Sequence, residues 1–134
     1  MNEKEMAKLV AQLDTEDMLG YLRKFPEDFT NQIQIDEEEK MMPSSVLCLG
    51  MGGSAAAGDF LASLANLYGS TQVNTWRNYD LPNWIKEDSL LISTSYSGNT
   101  EETLDSTNKG IEMGLESIVI SSGGKFAEYE NNIK

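Results

Sequence analysis

The pattern of apolar and polar positions changes near residue 46 of this chain. From there on, four short apolar runs have the length and composition of buried β-strands, and helical patterns lie between some of them. This alternation predicts βαβ units, with parallel strands and right-handed crossovers. Because the runs have no polar face, helices are expected on both sides of the sheet. The predicted strands are residues 46–49, 73–76, 90–94 and 118–121, and the predicted helices are residues 55–67 and 100–113.

The first 45 residues are more polar and predict an N-terminal helical segment. Apolar side chains recur at helical spacing in the first 13 residues and again over residues 15–25. Thr15 is the expected N-cap of that second helix, because its hydroxyl can accept a hydrogen bond from the first turn. Pro26 suits the first turn of a helix, so a third helix is predicted over residues 27–35.

Together these elements predict an α/β fold: a doubly wound, flavodoxin-like parallel sheet of about four strands, preceded by acidic N-terminal helices. The expected domains are a helical segment, residues 1–45, and a sheet domain, residues 46–134. A doubly wound sheet normally continues to further strands. We therefore expect these 134 residues to be the front part of a longer polypeptide, with completion by a partner subunit as the alternative.

Three short segments follow predicted strands and combine glycines with hydroxyl side chains. The first loop is Gly-Met-Gly-Gly-Ser, residues 50–54; the second is Ser-Tyr-Ser-Gly-Asn-Thr, residues 95–100; the third is Ser-Ser-Gly-Gly-Lys, residues 121–125. Loops that follow parallel strands meet at the carboxyl edge of the sheet, where ligands bind in such folds. Free N–H groups and the helix dipole favour an anion where a helix begins. The three loops therefore indicate a site for a phosphorylated small molecule.

The first loop alone leaves other interpretations open. It is compatible with a tight strand-to-helix turn that binds nothing. Gly50, Gly52 and Ala55 also match a loose form of the dinucleotide fingerprint, which is a weak signal. That site needs an acid at the end of the second strand, where this chain has Arg77. A P-loop is excluded, because no Gly-Lys-Ser/Thr follows the glycines.

Composition removes several classes of function. The net charge of −12 repels polyanions, so no nucleic-acid partner is expected. No segment resembles a membrane span or signal peptide, so no membrane partner is expected. The single cysteine, Cys48, excludes an internal disulfide and suits the cytoplasm. The chain has no histidine, and no metal site is expected, the acidic run 36–39 being a solvated face.

The sequence and order of the three loops resemble the sugar isomerase (SIS) domain, and among these domains the N-terminal half of the bifunctional phosphoglucose/phosphomannose isomerases. The resemblance covers about residues 46–130 and makes residues 46–134 a sugar-phosphate-binding domain, truncated at its C-terminal end. It implies reversible conversion of glucose 6-phosphate or mannose 6-phosphate to fructose 6-phosphate through an enediolate, with no cofactor. It also implies a phosphorylated hexose as ligand, and either a homodimer or a covalent second SIS domain.

The same resemblance implies the site residues. Lys125 would be catalytic and stabilise the enediolate, and a glutamate base with ring-opening groups would come from a second domain or subunit. This chain alone is therefore expected to bind substrate without turning it over. The alternative is a non-catalytic module that binds or senses phosphosugars. The implied substrate-binding residues are Gly52, Gly53, Ser54, Ser95, Ser97, Gly98, Asn99 and Thr100.

Overall fold

A computed structural model describes residues 2–28 and 43–131 of the chain. The chain divides into two compact units, Met1–Lys40 and Met41–Lys134. In the first unit, the structure contains helices α1 (Glu3–Leu13) and α2 (Met18–Asp28). Among the described residues, no helix is long and apolar enough to cross a membrane.

The beginning and end of α2 differ from the prediction. The side chain of Asp14, not Thr15, accepts hydrogen bonds from the first N–H groups of α2, at 2.6 Å and 2.8 Å. Pro26 lies inside α2, near its end, and not in the first turn of a new helix. A proline there removes one hydrogen bond, and this helix continues to Asp28 in spite of that loss. The predicted third helix lies mostly outside the described residues.

The second unit is a parallel four-stranded sheet. The strands are β1 (Ser45–Leu49), β2 (Gln72–Trp76), β3 (Leu90–Ser95) and β4 (Glu116–Ser121), in the order β2-β1-β3-β4. Helix α3 (Gly52–Tyr68) connects β1 to β2, α4 (Glu101–Glu112) connects β3 to β4, and a 3₁₀ helix (Gly124–Asn131) follows β4. All three strand pairs are parallel. The predicted α/β fold is confirmed.

Helices α3 and α4 cover opposite faces of the sheet. Cys48 and Thr75 are paired across β1 and β2, and a Cβ atom on Gly58 of α3 would lie 2.6 Å from Cys48 Cβ. The alternate residues of the strands contribute Leu47 and Leu91 to the core on the α4 face. The connection from β1 to β2 moves to one side of β1, and the connection from β3 to β4 moves to the other side. If both crossovers are right-handed, their helices must lie on opposite faces of the sheet.

Buried hydroxyl groups form a layer beneath α4, toward β3 and the loop that follows β2. Ser93 and Thr107 are fully buried and their hydroxyl oxygens lie 2.7 Å apart. The Thr107 hydroxyl donates to the carbonyl of Thr103 at 2.6 Å, so the Ser93 hydroxyl is the donor to Thr107. Ser106 is also fully buried and donates to the carbonyl of Asp80 at 2.7 Å. Helix α4 is thus held by directional bonds as well as by apolar packing.

Candidate functional site

The first loop places two of its three glycines in the first turn of α3. The helix begins at Gly52, earlier than predicted, so Gly52, Gly53 and Ser54 belong to the helix, and its N-cap Met51 supplies no side-chain hydrogen bond. Gly52 has a left-handed φ of +53°, and Cβ atoms on Gly52 or Gly53 would meet nothing within 4 Å. The start of α3 therefore presents open backbone at the carboxyl edge.

The second loop is organised from within by Ser95. Ser95 is 1% exposed, and its hydroxyl oxygen accepts a hydrogen bond from the Gly98 N–H at 3.1 Å. The same oxygen lies 2.9 Å from the Thr100 hydroxyl oxygen. Thr100 is the N-cap of α4, yet its side chain caps no N–H group. Ser95 thus shapes the loop, whereas the side chains of Tyr96 and Ser97 are exposed.

The second and third loops are joined side by side. The Phe126 N–H donates to the Gly98 carbonyl at 3.2 Å, and the Ser122 N–H donates to the Tyr96 carbonyl at 3.3 Å. Asn99 adds a side-chain bridge, because its Oδ1 accepts from the Lys125 N–H at 3.1 Å. The carboxyl edge therefore carries a single structure built from two loops.

Glycine is required where these loops touch. Gly98 and Gly124 have left-handed φ angles of +65° and +68°. A Cβ atom on Gly98 would lie 1.7 Å from the Gly123 carbonyl oxygen, and one on Gly124 would lie 2.3 Å from the Ser97 carbonyl oxygen. No side chain larger than hydrogen fits either contact without displacing backbone.

A groove of about 680 Å³ runs along the carboxyl edge between the first loop and the ends of β3 and β4. It contains two of the predicted site residues, Gly53 and Ser54; the predicted residues of the second loop and Lys125 do not line it. Sequence reasoning did not select Tyr96, Ser121 and Ser122, although the hydroxyls that follow β4 were a signal for the last two. The groove is lined by Met51, Gly53, Ser54, Ala57, Thr94, Tyr96, Ile120, Ser121 and Ser122.

Negative charge lies at the start of α4. Glu101 and Glu102 occupy its first turn, and the Tyr79 hydroxyl lies 3.4 Å from Glu101 Oε2. Desolvation, followed by the charges of Glu102 and Glu101, raises the pKa of Tyr79. The phenol therefore stays protonated at neutral pH and is the donor to Glu101. Among the described residues, no cluster of acidic or cysteine side chains could hold a metal ion.

Comparison with known proteins identifies the domain. No family model matches the chain. A bifunctional phosphoglucose/phosphomannose isomerase from Thermoplasma acidophilum is 35% identical over 85 residues, which are 63% of this chain and 26% of that protein. One with the same name from Aquifex aeolicus is 33% identical over 108 residues, 78% of this chain and 34% of that protein.

A solved structure shows the same fold. It is a crystal structure of a protein described as a possible phosphosugar isomerase from Clostridium difficile 630, with a TM-score of 0.54 and 15% identity. The match covers 69% of this chain and 28% of that chain. This chain contains an SIS-like sugar isomerase domain.

The SIS-like domain is also similar to an enzyme with a different name. A D-glucosamine-6-phosphate 4-epimerase from Sulfolobus acidocaldarius is 30% identical over 112 residues, 83% of this chain and 35% of that protein. The chain spans about a quarter to a third of the length of the curated relatives described here. Its relatives therefore share phosphorylated sugars in their names, while the reaction named differs.

Proposed function

We propose that this chain binds the phosphate group of a hexose 6-phosphate at the carboxyl edge of its sheet. In the longer protein, it would serve an isomerase that interconverts glucose 6-phosphate or mannose 6-phosphate with fructose 6-phosphate. The observation that carries the proposal is the joining of two glycine- and hydroxyl-containing loops beside the start of α4. The names of the relatives support the class of substrate.

Local dipoles supply the attraction for phosphate in this model of binding. The chain has a net charge of −12, so its overall field opposes an anion. The start of α4 has no side-chain cap, and its first N–H groups have no partner within the helix. Ser97 and Thr100 lie beside that helix end and would donate to the phosphate oxygens, whereas the Gly98 N–H already donates to Ser95 and would hold the loop in shape. Ser95 would act by fixing Gly98 and Thr100, because its own hydroxyl is buried and bonded to both.

The sugar would extend from the phosphate toward the groove. Gly52, Gly53 and Ser54 lie at the open start of α3, and Gly53 and Ser54 line the groove. Lys125 ends the third loop, and its exposed ammonium group would attract the bound phosphate and stabilise the negative oxygens of an enediolate. The proposed reaction needs a base to move a proton between C1 and C2, without a cofactor.

We do not assign that base to this chain. Glu101 and Glu102 occupy the first turn of α4, where carboxylates stabilise the helix start. The proposal therefore includes a second SIS domain or a homodimer partner that supplies the base. It also assigns residues 1–45 as a helical segment, residues 46–134 as the substrate-binding domain, and the cytoplasm as the compartment, which suits the single cysteine.

A titration of the purified chain tests the proposed binding. Fructose 6-phosphate is titrated calorimetrically, with fructose and inorganic phosphate as control ligands. We expect fructose 6-phosphate to bind, fructose not to bind, and the chain to show no isomerase activity. Turnover by the purified chain, free of contaminating isomerase, contradicts the proposal that the base comes from a second SIS domain or a partner subunit. Absence of binding at millimolar fructose 6-phosphate contradicts a phosphate site in this chain.

Substitutions locate the site. Ser97→Ala combined with Thr100→Ala removes two proposed donors, and we expect at least tenfold weaker binding, since each bond to a charged group is worth about 1.5–3 kcal/mol. The matched control is Ser63→Ala, an exposed serine on α3 whose hydroxyl donates only to the Asp59 carbonyl among its described contacts. Unchanged affinity in the double variant, with an unchanged circular dichroism spectrum, means that the phosphate binds elsewhere.

A further inference from the structure

We propose that Asn99 is a positioning residue that acts through Lys125 and does not itself hold the substrate. The inference rests on the proposed function, because it concerns how the phosphate loop and the cation of the same site are kept together. Asn99 lies in the second loop and Lys125 ends the third, 26 positions later in the chain. The Asn99 side chain forms a hydrogen bond to Lys125 directly, and the Ser122 hydroxyl joins the same two loops through the Tyr96 carbonyl.

The two ends of the Asn99 amide have different partners. Its Oδ1 accepts from the Lys125 N–H at 3.1 Å, in the third loop. Its Nδ2 donates to the Ser97 carbonyl at 3.0 Å, within the second loop. The Asn99 N–H in turn donates to the Ser97 hydroxyl at 3.3 Å. The amide therefore spans the junction and uses both its donor and its acceptor inside the protein.

Close packing holds the amide in this orientation. A Cβ atom on Gly124 would lie 2.7 Å from Asn99 Nδ2 and 2.9 Å from its Cγ, so the Gly124 backbone lies against the amide plane. Beyond Lys125, the Phe126 N–H bonds to the Gly98 carbonyl and the Phe126 ring is 2% exposed. The main chain of Lys125 is thus fixed on one side by Asn99 and on the other by a buried aromatic residue.

This anchoring determines where the Lys125 ammonium can reach. The lysine side chain is exposed and flexible, so its mean position follows from its backbone. Loss of the Asn99 bridge frees the Lys125 backbone and spreads the ammonium over a larger volume. The favourable contact with the bound anion is then lost even though the lysine is still present.

A double-mutant cycle on the affinity for fructose 6-phosphate tests this dependence. The four proteins are the wild type, Asn99→Ala, Lys125→Met and the double variant. We expect Lys125→Met to weaken binding by roughly fivefold, the effect of one exposed charge contact. Asn99→Ala should weaken it by a similar factor, and the double variant should match Lys125→Met within twofold. Asn108→Ala, an exposed asparagine that accepts a hydrogen bond from Tyr129, is the matched control and should bind as the wild type does.

Amide hydrogen exchange at Lys125, resolved by NMR, reports on the bridge itself. Asn99→Ala should accelerate exchange of that amide by at least tenfold, whereas Asn108→Ala should leave its exchange rate unchanged. If the wild type fails to bind fructose 6-phosphate, the proposed function and this inference both fail. Two results leave the proposed function intact and contradict only the role of Asn99. In the first, the wild type binds but the losses of affinity in Asn99→Ala and Lys125→Met add in the double variant. In the second, the Lys125 amide exchanges as fast in the wild type as in Asn99→Ala.

Discussion

Replacement of Gly98 by alanine tests whether the second and third loops form one interlocked structure. Gly98 combines a φ of +65° with a backbone contact, because the added Cβ atom would lie 1.7 Å from the Gly123 carbonyl oxygen. Real Cβ contacts are essentially never under 3.0 Å, so the loops must separate by about 1.3 Å. A separation of that size breaks the 3.2 Å bond between the Phe126 N–H and the Gly98 carbonyl.

The expected loss of stability has two parts. The left-handed conformation costs an alanine about 1–2 kcal/mol relative to glycine. Each interloop hydrogen bond that is lost adds about 0.5–1.5 kcal/mol. Gly98 and Tyr96 accept two backbone bonds, from Phe126 and Ser122, and Tyr96 also accepts one from the Ser122 hydroxyl. We therefore expect Gly98→Ala to lower the free energy of unfolding by roughly 3 kcal/mol. Gly114→Ala is the control, because Gly114 has a φ of +78° but a Cβ atom there meets nothing within 4 Å.

Urea unfolding followed by tryptophan fluorescence measures both variants. Gly114→Ala should lose only the conformational part, about 1–2 kcal/mol. The difference between the two glycines isolates the contact between the loops, since both have the same backbone handedness. Equal losses in Gly98→Ala and Gly114→Ala would refute the reasoning, because they would mean that the loops separate without cost.

Two further predictions concern ionisable groups away from the loops. Burial, followed by the charge of Asp59, raises the pKa of the Cys48 thiol, so a thiol reagent at pH 8 should label Cys48 only after urea unfolds the chain; rapid labelling of the folded chain contradicts its burial. The hydrogen bond from Arg77 lowers the pKa of Asp59, so the stability that this carboxylate contributes is present above its ordinary pKa and is lost as the pH falls through the lower folded value. In Asp59→Asn, the urea concentration at the unfolding midpoint should therefore fall less as the pH is lowered than it does in the wild type. The same fall in both proteins contradicts this.

The sheet could be predicted from the sequence because its signal is local. All four apolar runs are strands, and each begins or ends within two residues of the prediction. The boundary of α2 could not be predicted in the same way. Pro26 is compatible with the first turn of a helix, where a backbone N–H would have no partner in any case, and also with the last turns of another helix, where it costs one hydrogen bond. The structure shows the second arrangement, because α2 begins at Met18, with Asp14 bonded to its first N–H groups, and runs through Pro26 to Asp28.

The loops of the candidate site could be predicted from the sequence, but which of their side chains are buried and bonded within the loops could not. The predicted strand ends at residue 94 and leaves Ser95 in the loop, whereas β3 includes Ser95 in register with the buried Leu91 and Ser93 and turns its hydroxyl inward. The contact of Asn99 with Lys125 has no local signal, because it depends on two glycines whose backbones meet across the loops. The spacing of the motifs therefore predicts which loops lie at the carboxyl edge of the sheet, and only the structure shows the hydrogen-bond partners of their side chains.

The hydroxyl layer beneath α4 limits how far that helix can slide. Helices that pack on apolar side chains shear past one another by small steps, because such contacts have no preferred direction. The Ser93–Thr107 and Ser106–Asp80 bonds, at 2.7 Å each, are lost if α4 moves by about 1 Å along or around its axis. These bonds therefore fix the position of the first turn of α4 at the carboxyl edge with roughly the sub-ångström precision that a binding site needs.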